Sequence, residues 1–108
     1  MFQIIYYSDD VYESIENWPP KIAASYARIT DRIIDNSPNL GMPYTESFGE
    51  GLFEIRAKGQ EEIGRAFFCT LIGQKIVILH VFIKKSQKTP KKEIELARKR
   101  MKEVKENG

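Results

Sequence analysis

The sequence predicts an α+β domain, and three observations carry that reading. A β-branched and aromatic run opens the chain. Two stretches with helical spacing of apolar residues follow it. Three consecutive strand-like runs then precede a last helical stretch. The predicted order is an N-terminal strand, two helices, a three-stranded antiparallel meander and a C-terminal helix. With 108 residues, 42% of them apolar and 30% charged, one domain spanning 1–108 is expected.

Each element has its own signal. Phe2 to Tyr7 is β-branched and aromatic, which suits a short strand. Ser8, Asp9 and Asp10 offer an N-cap and acid for a first helical turn. Val11, Ile15 and Trp18 recur at helical spacing, and Pro19-Pro20 ends that helix and opens the next. Ile22, Tyr26, Ile29 and Ile33 mark the buried stripe of the second helix, which Asn36-Ser37-Pro38 stops. Residues 37–51 lack periodicity and read as a long loop, a length that often accompanies function. Leu52–Lys58, Ile63–Ile72 and Lys75–Lys84 read as the three strands. A four-residue split at 59–62 and a two-residue split at Gly73-Gln74 look like hairpin turns. Thr89-Pro90 supplies an N-cap and a first-position proline for the last helix, whose apolar face is Ile94, Ala97, Met101 and Val104.

Several function classes fall away. No apolar run approaches the ~20 residues of a membrane-spanning helix. Met1 to Tyr7 has neither the basic start nor the cleavage site of a signal peptide. One cysteine, Cys69, and one histidine, His80, cannot build a zinc site or an internal disulfide, so a reducing cytoplasm is the expected compartment. No phosphate-loop pattern or serine elbow is present, and no cofactor or metal is expected. Charge is informative. Residues 1–83 carry 7 Lys/Arg against 11 Asp/Glu, whereas residues 84–108 carry 10 against 4. An anionic partner near the C-terminal quarter would suit that asymmetry, and so would a solvated terminal helix.

With those turn lengths, Phe67 pairs with His80, Arg65 with Phe82, and Arg56 with Arg65. Alternation then puts Phe53, Ile55, Ala57, Ala66, Phe68, Thr70, Val77, Leu79, Val81 and Ile83 on one face, against the first two helices. The other face receives Glu54, Arg56, Lys58, Arg65, Phe67, Cys69, Ile78, His80, Phe82 and Lys84. Like charges directly opposed across a sheet destabilise it, so the Arg56–Arg65 pair asks for an explanation. A phosphate held between two guanidinium groups is one, and neutralisation by Glu54 and another carboxylate is the other. Lys91 and Lys92 lie in a first helical turn, which disfavours cations. With Lys84, Lys85 and Lys88 they gather five lysines at a helix N-terminus. Imidazole is the side chain best suited to proton transfer near neutral pH, which makes His80 a candidate, though a lone strand histidine is commonly a packing residue.

Leu52-Phe53-Glu54-Ile55-Arg56, Arg65-Ala66-Phe67-Phe68 and the run from Ile78 to Pro90, which ends in KKSQKTP, resemble the phage-derived HigB-like branch of the RelE/ParE toxins. Glu93, Ala97 and Arg98 fit the terminal helix of that family. The resemblance implies a RelE-like fold and the toxin of a type II toxin–antitoxin system. It implies a metal-independent endoribonuclease that cleaves mRNA on the ribosome through 2′-hydroxyl attack on the adjacent phosphate. It further implies a cognate antitoxin as partner, beside the ribosome and mRNA. Carried over by position, Arg56 and Arg65 stabilise phosphate, and Lys84 is a further cation or proton donor. Lys58, Lys85, Lys88, Lys91 and Lys92 hold RNA, and His80 is the candidate base. The base stays open, because no tyrosine follows Tyr44 and the family's late acidic–aromatic–histidine cluster is absent. Two other functions stay open: ParE-like gyrase inhibition, and a non-toxic basic nucleic-acid-binding module.

Overall fold

The computed structural model describes residues 1–107. Strand β1 (Gln3–Tyr6) leads into helix α1 (Asp9–Glu16), whose N-cap is Ser8. Ser8 Oγ accepts the Val11 amide at 3.3 Å, and Asp9 and Asp10 occupy the first turn, where the helix dipole favours acid. Helix α2 (Pro20–Asp35) starts on a proline, which needs no amide donor there, and buries Ile22, Tyr26, Ile29, Thr30 and Ile33. Strands β2 (Thr45–Ser47), β3 (Phe53–Lys58), β4 (Ile63–Leu71) and β5 (Lys75–Lys84) follow, then helix α3 (Lys91–Asn107). Among the described residues, no helix is long and apolar enough to cross a membrane.

The meander is part of a larger sheet than the sequence suggests. Five strands lie in the order β1-β5-β4-β3-β2. β1 joins β5 in parallel, and the other pairs are antiparallel. β2 falls inside the stretch read as loop. Thr-Glu-Ser has no strand signature of its own, and it is a strand because the edge of β3 pairs with it.

Helices α1 and α2 cover one face of the sheet and α3 covers the other. The first core gathers Val11, Ile15, Trp18, Ile22, Tyr26, Ile29 and Ile33 over Ile55, Ala57, Ala66, Phe68, Ile76 and Ile78. The second gathers Leu52, Phe67, Cys69, Val77 and Leu79 under Ala97 and Met101 of α3. Ile22 of α2 and Trp18 before it pack tightly over Gly64. A Cβ there would meet Ile22 Cγ2 at 2.5 Å and Trp18 Cζ3 at 3.0 Å.

The expected pairs Arg56–Arg65, Arg65–Phe82 and Phe67–His80 are all present. Two details behind them differ. The last hairpin closes through three residues, since Leu71 pairs with Lys75, and Gly73 and Gln74 both take positive φ. A bulge then leaves Leu79 as an extra residue of β5, because Phe68 pairs with Ile78 and Phe67 with His80. The two one-residue offsets cancel beyond the bulge and not before it. Val77 and Leu79 therefore face α3, and Ile78 faces α1 and α2, the reverse of the expected alternation. The start of the last helix also shifts. It begins at Lys91, and Thr89 does not cap it, because its hydroxyl is engaged elsewhere.

Candidate functional site

On the α3 side of the sheet, β3 presents Glu54 and Arg56, and β4 presents Arg65 directly across from Arg56. All three are buried, with Glu54 and Arg65 at 0% exposure. Glu54 lies two residues before Arg56 on the same strand face, so its carboxylate reaches the pair. Arg56 Nη1 donates to Glu54 Oε1 at 2.9 Å, and Glu46 Oε1 of β2 lies 3.7 Å away. Thr89 closes the network. Its Oγ1 accepts from Arg65 Nη1 at 2.9 Å and donates to Glu54 Oε2 at 2.7 Å. Carboxylate neutralisation, the second explanation of the arginine pair, is thus the one this geometry displays.

The segment between β5 and α3 is strapped across the same pair. Arg56 Nη2 donates to the Gln87 carbonyl at 2.8 Å, and Arg65 Nη2 donates to the Ser86 carbonyl. Arg65 Nε is buried without a partner, and the guanidinium lies 5.9 Å over the Phe82 ring. Burial pushes the Glu54 carboxyl above the usual carboxylate range, against the pull of Thr89, Arg56 and Arg65. Burial, helped by the neighbouring Arg56 charge, lowers the pKa of Arg65. The network therefore holds two guanidinium groups against one fully buried carboxylate, in surroundings that disfavour all of those charges.

His80 is half-buried on the same face. Its ring forms a cluster with those of Phe67 and Phe82, at centroid distances of 6.4 Å and 5.7 Å. His80 Nε2 and Glu93 Oε1, in the first turn of α3, are 2.8 Å apart. A histidine oriented by a carboxylate is a standard arrangement for proton transfer. Phe67 itself is wholly buried, so it is a core residue and not a platform for a base. Lys84 is half-exposed at the end of β5, and Lys58, Lys85, Lys88, Lys91 and Lys92 are exposed. Among the described residues, no carboxylate lies within 4.0 Å of any of these six lysines. No three His, Cys, Asp or Glu side chains among those residues could hold a metal ion.

The sequence reading missed a group of residues on the other flank of Arg56. Arg28 and Arg32 of α2, Tyr44 of the loop before β2, and Ser25 line a cavity beside Lys58. The available signal was the one-turn spacing of Arg28 and Arg32, on the flank of the apolar stripe of α2. Nothing local connects that helix to Tyr44 or Lys58.

In comparisons with known proteins, the family model described as phage-derived protein, Gp49-like, matches residues 13–102. That span runs from within α1 into α3 and includes every residue of the arginine network. No curated protein matches the chain.

Proposed function

We propose that this chain, which belongs to the phage-derived Gp49-like family, is the toxin of a type II toxin–antitoxin system that cleaves mRNA on the ribosome. Membership of a RelE/toxin-like family supports the toxin. The HigB-like branch, the RelE-like fold and the ribosome dependence rest on the resemblance of residues 52–98. The observation that carries the nuclease is the pair of guanidinium groups opposed on the sheet beside six lysines without carboxylate partners. Such a surface attracts a polyanion, and the two guanidinium groups would give paired donors to one phosphate once released from the strap.

The chemistry is a transesterification. A base takes the proton of a ribose 2′-hydroxyl, and that oxygen attacks the adjacent phosphorus. The bond to the 5′-oxygen breaks, an acid protonates the leaving oxygen, and a cyclic phosphate remains. His80, oriented by Glu93, is the base in this scheme, and Lys84 is the acid. Arg56 and Arg65 hold the phosphate oxygens. Their donors now serve the carbonyls of Ser86 and Gln87, so phosphate enters as the strap from Ser86 to Thr89 lifts. The cognate antitoxin is the partner that silences the protein, which works in the cytoplasm.

The commitment of both arginines to protein groups favours a second reading on the same fold, a ParE-like toxin that blocks gyrase and cleaves nothing. Mapping mRNA 5′ ends in a translation extract, with and without ribosomes, separates the two. Wild type should give ribosome-dependent cuts, and Lys84→Ala/Lys85→Ala, which disturbs no buried group, should lose most of them. Intact mRNA with wild-type protein would end the nuclease reading.

A further inference from the structure

We propose that the cavity between α2 and the end of β3 is a phosphate-ester site, one that seats a backbone phosphate of an RNA strand outside the arginine network. The cavity has a volume of about 310 Å³ and is lined by Arg28, Arg32, Lys58, Tyr44, Ser25 and Ile29, with Arg56 at its edge. That volume is at the low end of small-ligand pockets, which start near roughly 300 Å³. Residues 1–83 are acidic overall, with 7 Lys/Arg against 11 Asp/Glu. Three of those seven cations, Arg28, Arg32 and Lys58, nevertheless converge on this one cavity, and no carboxylate lines it.

The cations are held in place and left unneutralised. Ser25 Oγ donates to the Lys58 carbonyl at 2.7 Å, which ties α2 to the end of β3. Arg28 Nη2 donates to the same hydroxyl at 3.2 Å. The Arg32 guanidinium lies 5.1 Å over the ring of Tyr44. Tyr44 is fixed in turn, since its carbonyl accepts the Arg56 amide at 2.9 Å. Asp31 and Asp35 share the helix, yet among the described residues Arg28, Arg32 and Lys58 make no ion pair. Arg28 and Arg32 are one turn apart, a like-charge spacing that destabilises a helix. A phosphate ester would relieve that repulsion, because guanidinium forks match its oxygens and each keeps free donors. Three free cations exceed what one peptide carboxylate would neutralise. Arg56 and Lys58 make the cavity continuous with the edge of the arginine face, the course a bound strand would take.

The RNA assignment rests on the proposed nuclease, and the test separates the two. A fluorescent 2′-O-methyl hexanucleotide, which cannot be cleaved, is titrated by anisotropy across a salt series. Adenosine monophosphate is titrated in parallel. Arg28→Ala/Arg32→Ala should weaken the hexanucleotide about tenfold or more, as expected when a charge-assisted hydrogen bond is removed. It should also flatten the salt dependence by about 0.7 in log–log slope for each single-strand phosphate the variant no longer neutralises. Arg28→Lys/Arg32→Lys, which keeps the charge and the fold, should fall between. Unchanged hexanucleotide affinity in the alanine variant overturns the site, whether or not the protein cleaves mRNA. Monophosphate bound through Arg28 and Arg32 by a wild-type protein that ignores the hexanucleotide overturns the RNA assignment of the cavity, and the mapping of mRNA ends decides the nuclease separately. Displacement of the hexanucleotide by an acidic peptide from wild type, and not from the alanine variant, would assign the cavity to protein and overturn the proposal.

Discussion

Thr89→Val tests the arginine network with the least disturbance of shape. Valine replaces one hydroxyl by a methyl and keeps the branched side chain. The change removes two hydrogen bonds at once, from Arg65 Nη1 and to Glu54 Oε2. Both partner residues are at 0% exposure, so water does not replace the hydroxyl. Each buried polar atom left unsatisfied costs about 1–3 kcal/mol. Two of them give a loss of about 3 kcal/mol. Thr89 is not bonded as a helix cap, so no capping term adds to this. Unfolding entropy near 2.1 cal/mol/K per residue makes 1 kcal/mol worth about 4 °C here, and the expected drop in Tm is about 13 °C. Urea unfolding followed by the fluorescence of buried Trp18 measures the same loss at fixed temperature. Thr89→Ser, which keeps the hydroxyl, should lose about 1 kcal/mol or less.

The pH dependence adds a second readout. The Glu54 carboxyl is raised above its ordinary value of 4.5, mainly by burial. The folded state therefore holds a proton over a window in which the unfolded state has lost it. Stability contributed by this group falls as pH rises through that window. The Thr89 hydrogen bond is the strongest influence lowering the pKa, so Thr89→Val moves Glu54 higher still. The gap between wild type and Thr89→Val should be smallest below the ordinary carboxylate range, where the loss at Arg65 remains, and grow as pH rises through the widened window. A loss under about 1 kcal/mol near neutral pH, or a gap that does not change with pH, would refute the account of the network.

Two further outcomes follow from the geometry. Gly64→Ala should destabilise the protein by about 1–3 kcal/mol, because the new methyl overlaps Ile22 and presses on Trp18; a thermal melt within about 2 °C of wild type would show that α2 yields freely. His80→Gln should lower the mRNA cleavage rate about 10²–10⁴-fold with the melt nearly unchanged, and Glu93→Gln should lower it less; equal rates for His80→Gln and wild type would remove His80 as the base.

Much of the fold was legible along the chain because the signals are local. The apolar residues of α1 and α2 repeat at helical spacing, prolines and Ser8 mark where helices start, and Gly-containing splits mark the hairpins. The opposition of Arg56 and Arg65 followed from counting through a four-residue turn. The Arg65–Phe82 pair was reached by a count that missed both the third turn residue and the Leu79 bulge, and these offset one another. β2 was not legible, because Thr45–Ser47 becomes a strand only against the edge of β3.

For the site, the sequence by itself determined that Glu54, Arg56 and Arg65 share one sheet face, and that a lysine-rich stretch follows β5. These depend on a period of two and on chain order. Only the tertiary structure decided which charges are neutralised. Thr89 reaches Glu54 and Arg65 across 35 and 24 positions of sequence, and Arg28 and Arg32 meet Tyr44 and Lys58 through the packing of α2 on β3. Hydrogen bonds and ion pairs act over a few ångströms, and the distance between groups far apart in sequence is set by how the layers pack. The sequence therefore named the cations of the sheet face and of the stretch after β5 but not Arg28 and Arg32, and the packing decided which cations are enclosed and which are exposed.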